Sequence, residues 1–186
     1  MAKRSGGRVL LEGVLCIGTA IALSYLRFHT GLKYGGFDGY ISLELLPLVI
    51  FAMRTNVGTG IVAGCLYGII RYFLIWGFRG DITWEMLVFD YTLSYGAVGL
   101  AGLFRKTFKL IGLAAFVGCL AKFAVHYLAT VTVYKYVPAT FLGMQNLPLP
   151  FFALLYNSTR MIPITIVTVG IFCLLEAMPD ILKEQG

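Results

Sequence analysis

The sequence predicts an all-α membrane protein: a single bundle of six transmembrane helices, both termini cytoplasmic. Three observations carry this. The 186 residues are 59% hydrophobic and 13% charged, with a mean hydropathy of +0.83, where a water-soluble domain carries about a quarter charged residues. Apolar runs separated by glycine, proline or basic residues recur along the chain. A bilayer core about 30 Å thick takes roughly 20 helical residues to cross, so six crossings nearly use up the length and leave no room for a catalytic or ATPase domain.

Helix 1, expected at 8–26, follows a basic head. Its apolar run is longer than that of a signal peptide and lacks a clean small-residue cleavage site, so it reads as a retained helix. Helix 2, at 41–53, is short for a crossing and holds Pro47, which implies a tilt, a kink or a partial span. Helix 3, at 57–76, carries Gly60, Gly64 and Gly68 at four-residue spacing, with Gly58 beside them. Such a stripe of small residues lets helices approach closely in lipid. Helices 4, 5 and 6 follow at 84–104, 109–134 and 150–176. No internal repeat or linker divides the chain, which reads as one domain over 1–186.

Basic residues give the orientation. With the N-terminus inside, Lys3, Arg4, Arg8, Arg54, Arg105, Lys106, Lys109 and Lys183 face the cytoplasm, against Arg27, Lys33, Arg79 and Lys135 outside. The longer connections, 27–40, 77–83 and 135–149, then face outward. Although the formal charge is +6, the basic residues form no continuous face, which argues against a nucleic-acid partner.

The four cysteines, Cys16, Cys65, Cys119 and Cys173, fall one to an apolar segment and form neither a CxxC nor a metal cluster. They read as small packing residues. No G-x-S-x-G or H-E-x-x-H occurs, and GLFRKT at 102–107 lacks the glycine that a phosphate loop places before its lysine.

Ionisable groups inside a bilayer are costly, so each marks a candidate site. Those here are Glu12, Glu44, Arg71, Asp90, Lys122, His126 and Arg160, with the polar Asn157. Glu12 can meet Arg8 or lipid headgroups, and Arg71 and Arg160 suit snorkelling or pairing with a carboxylate. Lys122 shares a helix face with His126. Glu44, Asp90, His126 and Asn157 fall at similar depth toward the outer ends of their helices, at the level of Tyr40, Tyr91, Tyr127, Tyr134, Phe152 and Tyr156. Carboxylates for charge, an imidazole and an amide for directed hydrogen bonds, and rings for stacking and cation–π contact suit a small planar, cationic or amine-bearing molecule. The plainer alternative is a polar network that only ties helices together.

Four segments in order, LELLPLVIFAMRTNVGTGIVAGCLYGI (43–69), FDYTLSYGAVGLAGLFRK (89–106), KFAVHYLATVTVY (122–134) and YNSTRMIPI (156–164), resemble the thiamine-specific S components (ThiT) of energy-coupling factor vitamin transporters. The resemblance implies a six-helix bundle in the bacterial plasma membrane that binds thiamine. It also implies a transmembrane coupling subunit and two cytosolic ATPases as partners. It places binding residues at Glu44, Tyr91, His126 and Asn157; Thr130, one turn beyond His126, is a further candidate of the sequence itself. Asp90 stands for the family's glutamate, Tyr40 and Tyr134 for two family tryptophans, and Phe152 for a family tyrosine. The small face of helix 1, Gly18 and Ala22, is similar to the surface that meets the coupling subunit. No cofactor is implied. An S component for a precursor or another vitamin is the alternative. So is an intramembrane enzyme using His126 and Asp90 as acid and base, although the sequence offers it no nucleophile or metal cluster.

Overall fold

In lipid a backbone must satisfy its own hydrogen bonds, and the chain does so mainly with helices. The computed structural model describes residues 6–34, 37–77 and 83–177. The chain runs α1 (Gly6–Tyr25), β1 (Arg27–Tyr34), β2 (Phe37–Ser42), α2 (Leu45–Arg54) and α3 (Val57–Trp76). It continues with α4 (Met86–Phe104), α5 (Ile111–Ala129), the short strands β3 (Thr140–Phe141) and β4 (Met144–Gln145), and α6 (Leu149–Ala177). Among the described residues, α1, α3, α4, α5 and α6 are long and apolar enough to cross a membrane. The ten residues of α2 are not, since they rise only about 15 Å.

Pro47 lies in the first turn of α2, where its missing N–H would have had no helical partner in any case. The turn into α3 is closed by Asn56, whose side chain accepts from Thr59 N at 3.1 Å, and α3 ends on Gly77 at φ +66°.

The connection expected as a loop at 27–40 is a β-hairpin instead. β1 and β2 pair antiparallel from Arg27 opposite Ser42 to Tyr34 opposite Phe37, with an irregularity between His29 and Lys33. Pairing to Ser42 explains why α2 starts at Leu45 rather than at 41: those residues are committed to the strand. A smaller hairpin, β3–β4, lies in the 135–149 connection. Both hairpins sit at one end of the bundle, and β2 packs against α6. Residues 78–82 of the third long connection, with Arg79, lie outside the described residues, as do Lys3, Arg4 and Lys183.

The opposite end is tied by charges. Glu12 lies 3.2 Å from Arg8 and 3.5 Å from Arg54, Arg105 donates to Thr55 O at 3.2 Å, and Glu176 accepts from Gly112 N at 2.7 Å.

The glycine stripe of α3 meets α4 backbone to backbone. A Cβ on Gly64 would lie 2.2 Å from Tyr95 O, and one on Gly68 would lie 2.3 Å from Tyr91 O. The contact brings α4 so close that Tyr91 and Tyr95 are held directly over the polar end of α3. Around it packs a core of small residues, including Ala52, Ala101, Ala114, Ala115 and Cys119. Cys16 is buried and donates to Pro47 O at 3.2 Å, whereas Cys173 is exposed.

Two helices widen near the hairpin end. α4 is wound in π turns over Met86–Leu93 before one α turn and a 3₁₀ stretch, Val98–Phe104. α5 continues into π turns over Thr130–Tyr134 and stops at Lys135, whose φ of 51° is left-handed. Such segments often mark functional sites.

Candidate ligand-binding site

The start of α2, the ends of α3 and α5, and the starts of α4 and α6 meet at the hairpin end, and their polar groups form one connected network. Glu44 occupies the N-cap position of α2 and is buried, at 6% exposure. Its Oε1 accepts from the Tyr95 hydroxyl and its Oε2 from the Tyr67 hydroxyl at 2.9 Å. Arg71, one turn beyond Tyr67 and 2% exposed, brings Nε to 3.6 Å from the same Oε2. It also donates to Ser24 O at 3.4 Å and lies 5.7 Å from the Tyr25 ring. So Arg71 does not snorkel; it neutralises a carboxylate that would otherwise be buried alone.

The second half of the network spans α4, α5 and α6. Asp90 Oδ1 lies 3.1 Å from His126 Nδ1, and Asp90 Oδ2 accepts from the Tyr134 hydroxyl at 2.9 Å. Lys122 Nζ lies 3.2 Å from His126 Nε2, 3.1 Å from Ser94 Oγ and 3.5 Å from the centroid of the Tyr95 ring. Tyr95 therefore joins the halves, with its hydroxyl on Glu44 and its face under the Lys122 ammonium, a cation–π contact. The buried Asn157 donates to Thr130 Oγ1 at 3.1 Å and to Ala153 O at 2.9 Å, and Thr130 donates to His126 O at 2.9 Å.

The π turns set which neighbour each α4 side chain meets. Asp90 faces α5, whereas Tyr91, the next residue, packs edge-on against Tyr72 at 5.2 Å and lies 6.4 Å from Tyr95. In α5 the same widening carries Tyr134 back to Asp90.

Asp90, His126, Tyr134, Thr130 and Asn157 are thus brought into direct contact, and Glu44 joins them through Tyr95 and Lys122. Tyr91 adjoins this set, and the half-buried Tyr40 lies on β2, which packs against α6. Phe152 is one layer out: it is buried, edge-on to Phe141 of β3 at 5.2 Å and stacked on Tyr156 at 5.4 Å. Tyr127 stacks instead on Phe123, 6.5 Å away.

Tyr67, Tyr95 and Ser94 do not stand out in the sequence. Tyrosine and serine in an apolar helix pass for packing residues, and the one signal is spacing: Tyr67 precedes Arg71, and Tyr91 precedes Tyr95, by four residues. The sequence reading also gives His126 a directed hydrogen bond to a ligand. In the structure both its nitrogens are already engaged, by Asp90 and by Lys122. Both carboxylates are likewise partnered within the protein, so charge is balanced locally. Gly18 and Ala22 of α1 are exposed, and a Cβ on Gly18 would meet nothing within 4 Å.

A family model described as "Thiamine transporter protein (Thia_YuaJ)" matches residues 10–183. The chain belongs to that family. It is similar to the thiamine transporter ThiT of Bacillus subtilis, with 24% identity over 167 residues, 79% of this chain and 80% of that protein. The same holds for ThiT of Lacticaseibacillus paracasei, with 29% identity over 143 residues, 66% of each. A solved structure of ThiT from Listeria monocytogenes shares the fold, with a TM-score of 0.71 at 20% identity over 91% of this chain and 93% of that one. The family is one of transporters, not enzymes, which sets aside the intramembrane acid–base reading of His126 and Asp90. Together with the apolar helices, it makes this a multi-pass protein of the cell membrane.

Proposed function

We propose that this protein is the substrate-binding S component of an energy-coupling factor importer and that it captures thiamine at the hairpin end of the bundle. The observation that carries this reading is the convergence of Asp90, His126, Tyr134, Thr130 and Asn157, from α4, α5 and α6, beside Tyr91 and Tyr40. A network meant only to tie helices together has no need of so many rings at one level. Thiamine joins a thiazolium cation to an aminopyrimidine: flat, positively charged and rich in donors and acceptors. Rings offer cation–π contact worth about 0.5 to 2 kcal/mol each, and amide and carboxylate groups supply direction. Glu44, Asp90, Tyr91, His126, Asn157, Tyr40, Tyr134 and Thr130 form the proposed site, with Phe152 supporting its α6 wall.

The basic end of the bundle, with Arg8, Arg54 and Arg105, faces the cytoplasm in this account, so the hairpins and the site face outward. Both termini then lie inside, with α2, too short to cross a bilayer by itself, returning the chain from the hairpin end to Arg54 at the basic end. Energy comes from two cytosolic ATPases through a transmembrane coupling subunit, and the exposed Gly18–Ala22 face of α1 is the proposed docking surface.

Calorimetric titration of the purified protein with thiamine tests this reading. Saturable binding by the wild-type chain, weakened in Asp90→Ala, supports it. Mass spectrometry of co-purified small molecules distinguishes thiamine from a precursor or another vitamin, the reading favoured by an aspartate at position 90 and a tyrosine at position 134.

A further inference from the structure

Lys122 is a buried cation at the heart of a site proposed to take another cation, and ligand recognition alone gives it no task. Its ammonium has three N–H donors and no acceptor. Ser94 Oγ takes one at 3.1 Å and the Tyr95 ring faces another, with the nitrogen 3.5 Å from the centroid. The remaining one is directed at His126 Nε2, 3.2 Å away. A donor-only group at that distance requires Nε2 to accept, so Nε2 carries no hydrogen. The ring's hydrogen then sits on Nδ1, where Asp90 Oδ1, at 3.1 Å, accepts it. A doubly protonated ring would set N–H against N–H at Lys122.

The lock has its own supports. Asp90 is steadied by the Tyr134 hydroxyl, and Ser94 both accepts from Lys122 and donates to Asp90 O. Lysine and aspartate thus grip the imidazole from opposite edges, and one serine braces both.

We infer that Lys122 is a positioning residue: it fixes His126 as the neutral Nδ1–H tautomer, pinned at both edges, so that the imidazole meets a ligand through its face. The last clause rests on the proposed thiamine site; the tautomer does not.

Nitrogen NMR of the full-length protein in detergent, labelled with ¹⁵N-histidine, reads the tautomer directly. The chain has two histidines, and a His29→Gln spectrum assigns them by elimination. The expected wild-type signature is a neutral His126 ring with hydrogen on Nδ1 and a bare Nε2. Lys122→Met should lose that single signature and bind thiamine weaker by roughly tenfold, the scale on which losing an orienting partner acts. Lys122→Arg, which keeps a donor-only cation, should restore both toward wild type. An imidazolium or an Nε2–H tautomer in the wild-type protein overturns the inference, and that spectrum decides even where Lys122→Met does not fold. Retention of the Nδ1–H signature and of binding in Lys122→Met also overturns it. A wild-type spectrum as expected without any thiamine binding leaves the lock standing and removes the ligand reading alone.

Discussion

At Glu44 two hydroxyl donors and a guanidinium from two helices meet one carboxylate: Tyr67 and Arg71 of α3 and Tyr95 of α4. Removing one phenol leaves part of a buried charge unsatisfied, which costs about 1–3 kcal/mol. Tyr95→Phe should therefore lower the thermal unfolding midpoint in detergent, and an unchanged midpoint would show that Glu44 does not depend on that bond. Asp90, by contrast, lies in the proposed site. Asp90→Ala should weaken thiamine binding by about 1–3 kcal/mol, or roughly 5- to 150-fold, by calorimetry. Glu44, Asp90, His126 and Asn157 are legible in the sequence because an ionisable or amide group in an apolar run has no cheap reason to be there. Their partners are not: Tyr67, Tyr95 and Ser94 look like packing residues until a fold sets them against a carboxylate or an ammonium.

At the scale of elements, the contact between α3 and α4 positions the network. Gly64 and Gly68 let the α4 backbone lie against α3, and Tyr91 and Tyr95 ride on that contact. Gly64→Ala places a methyl 2.2 Å from Tyr95 O, an overpacking that costs about 1–3 kcal/mol. Its unfolding midpoint should fall, and thiamine binding with it, because Tyr95 moves. Gly18→Leu is the contrasting case: Gly18 has open space around it, so the isolated protein should keep its unfolding midpoint. Under the docking proposal the variant fails to co-purify with a coupling subunit, and undiminished co-purification would count against that surface. The small-residue stripe is visible in the sequence as spacing, and so are the five long apolar helices. The hairpin at Arg27–Ser42 is not, because glycine- and aromatic-rich connections read as loops and the pairing is interrupted between His29 and Lys33. The π turns at Asp90 and Thr130 are also hidden, since an i→i+5 bond imposes no residue type.

For the whole molecule, a bilayer leaves few architectures open. Hydropathy alone therefore leads to a helical membrane bundle, and the match over residues 10–183 places it in a transporter family. The buried polar network collects at the hairpin end and the Arg8–Glu12–Arg54 ion pairs at the other. That polarity agrees with capture on one face and coupling on the other.

Thermal unfolding of the purified, full-length protein across a panel of vitamins reads out whether the hairpin end binds thiamine. Stabilisation follows RT ln(1 + [L]/Kd), about 2.7 kcal/mol at a hundredfold excess over Kd. A clear upward shift with thiamine, lost in Asp90→Ala, is expected. A shift with some other vitamin and none with thiamine, or an equal thiamine shift in Asp90→Ala, would overturn thiamine capture at the hairpin end.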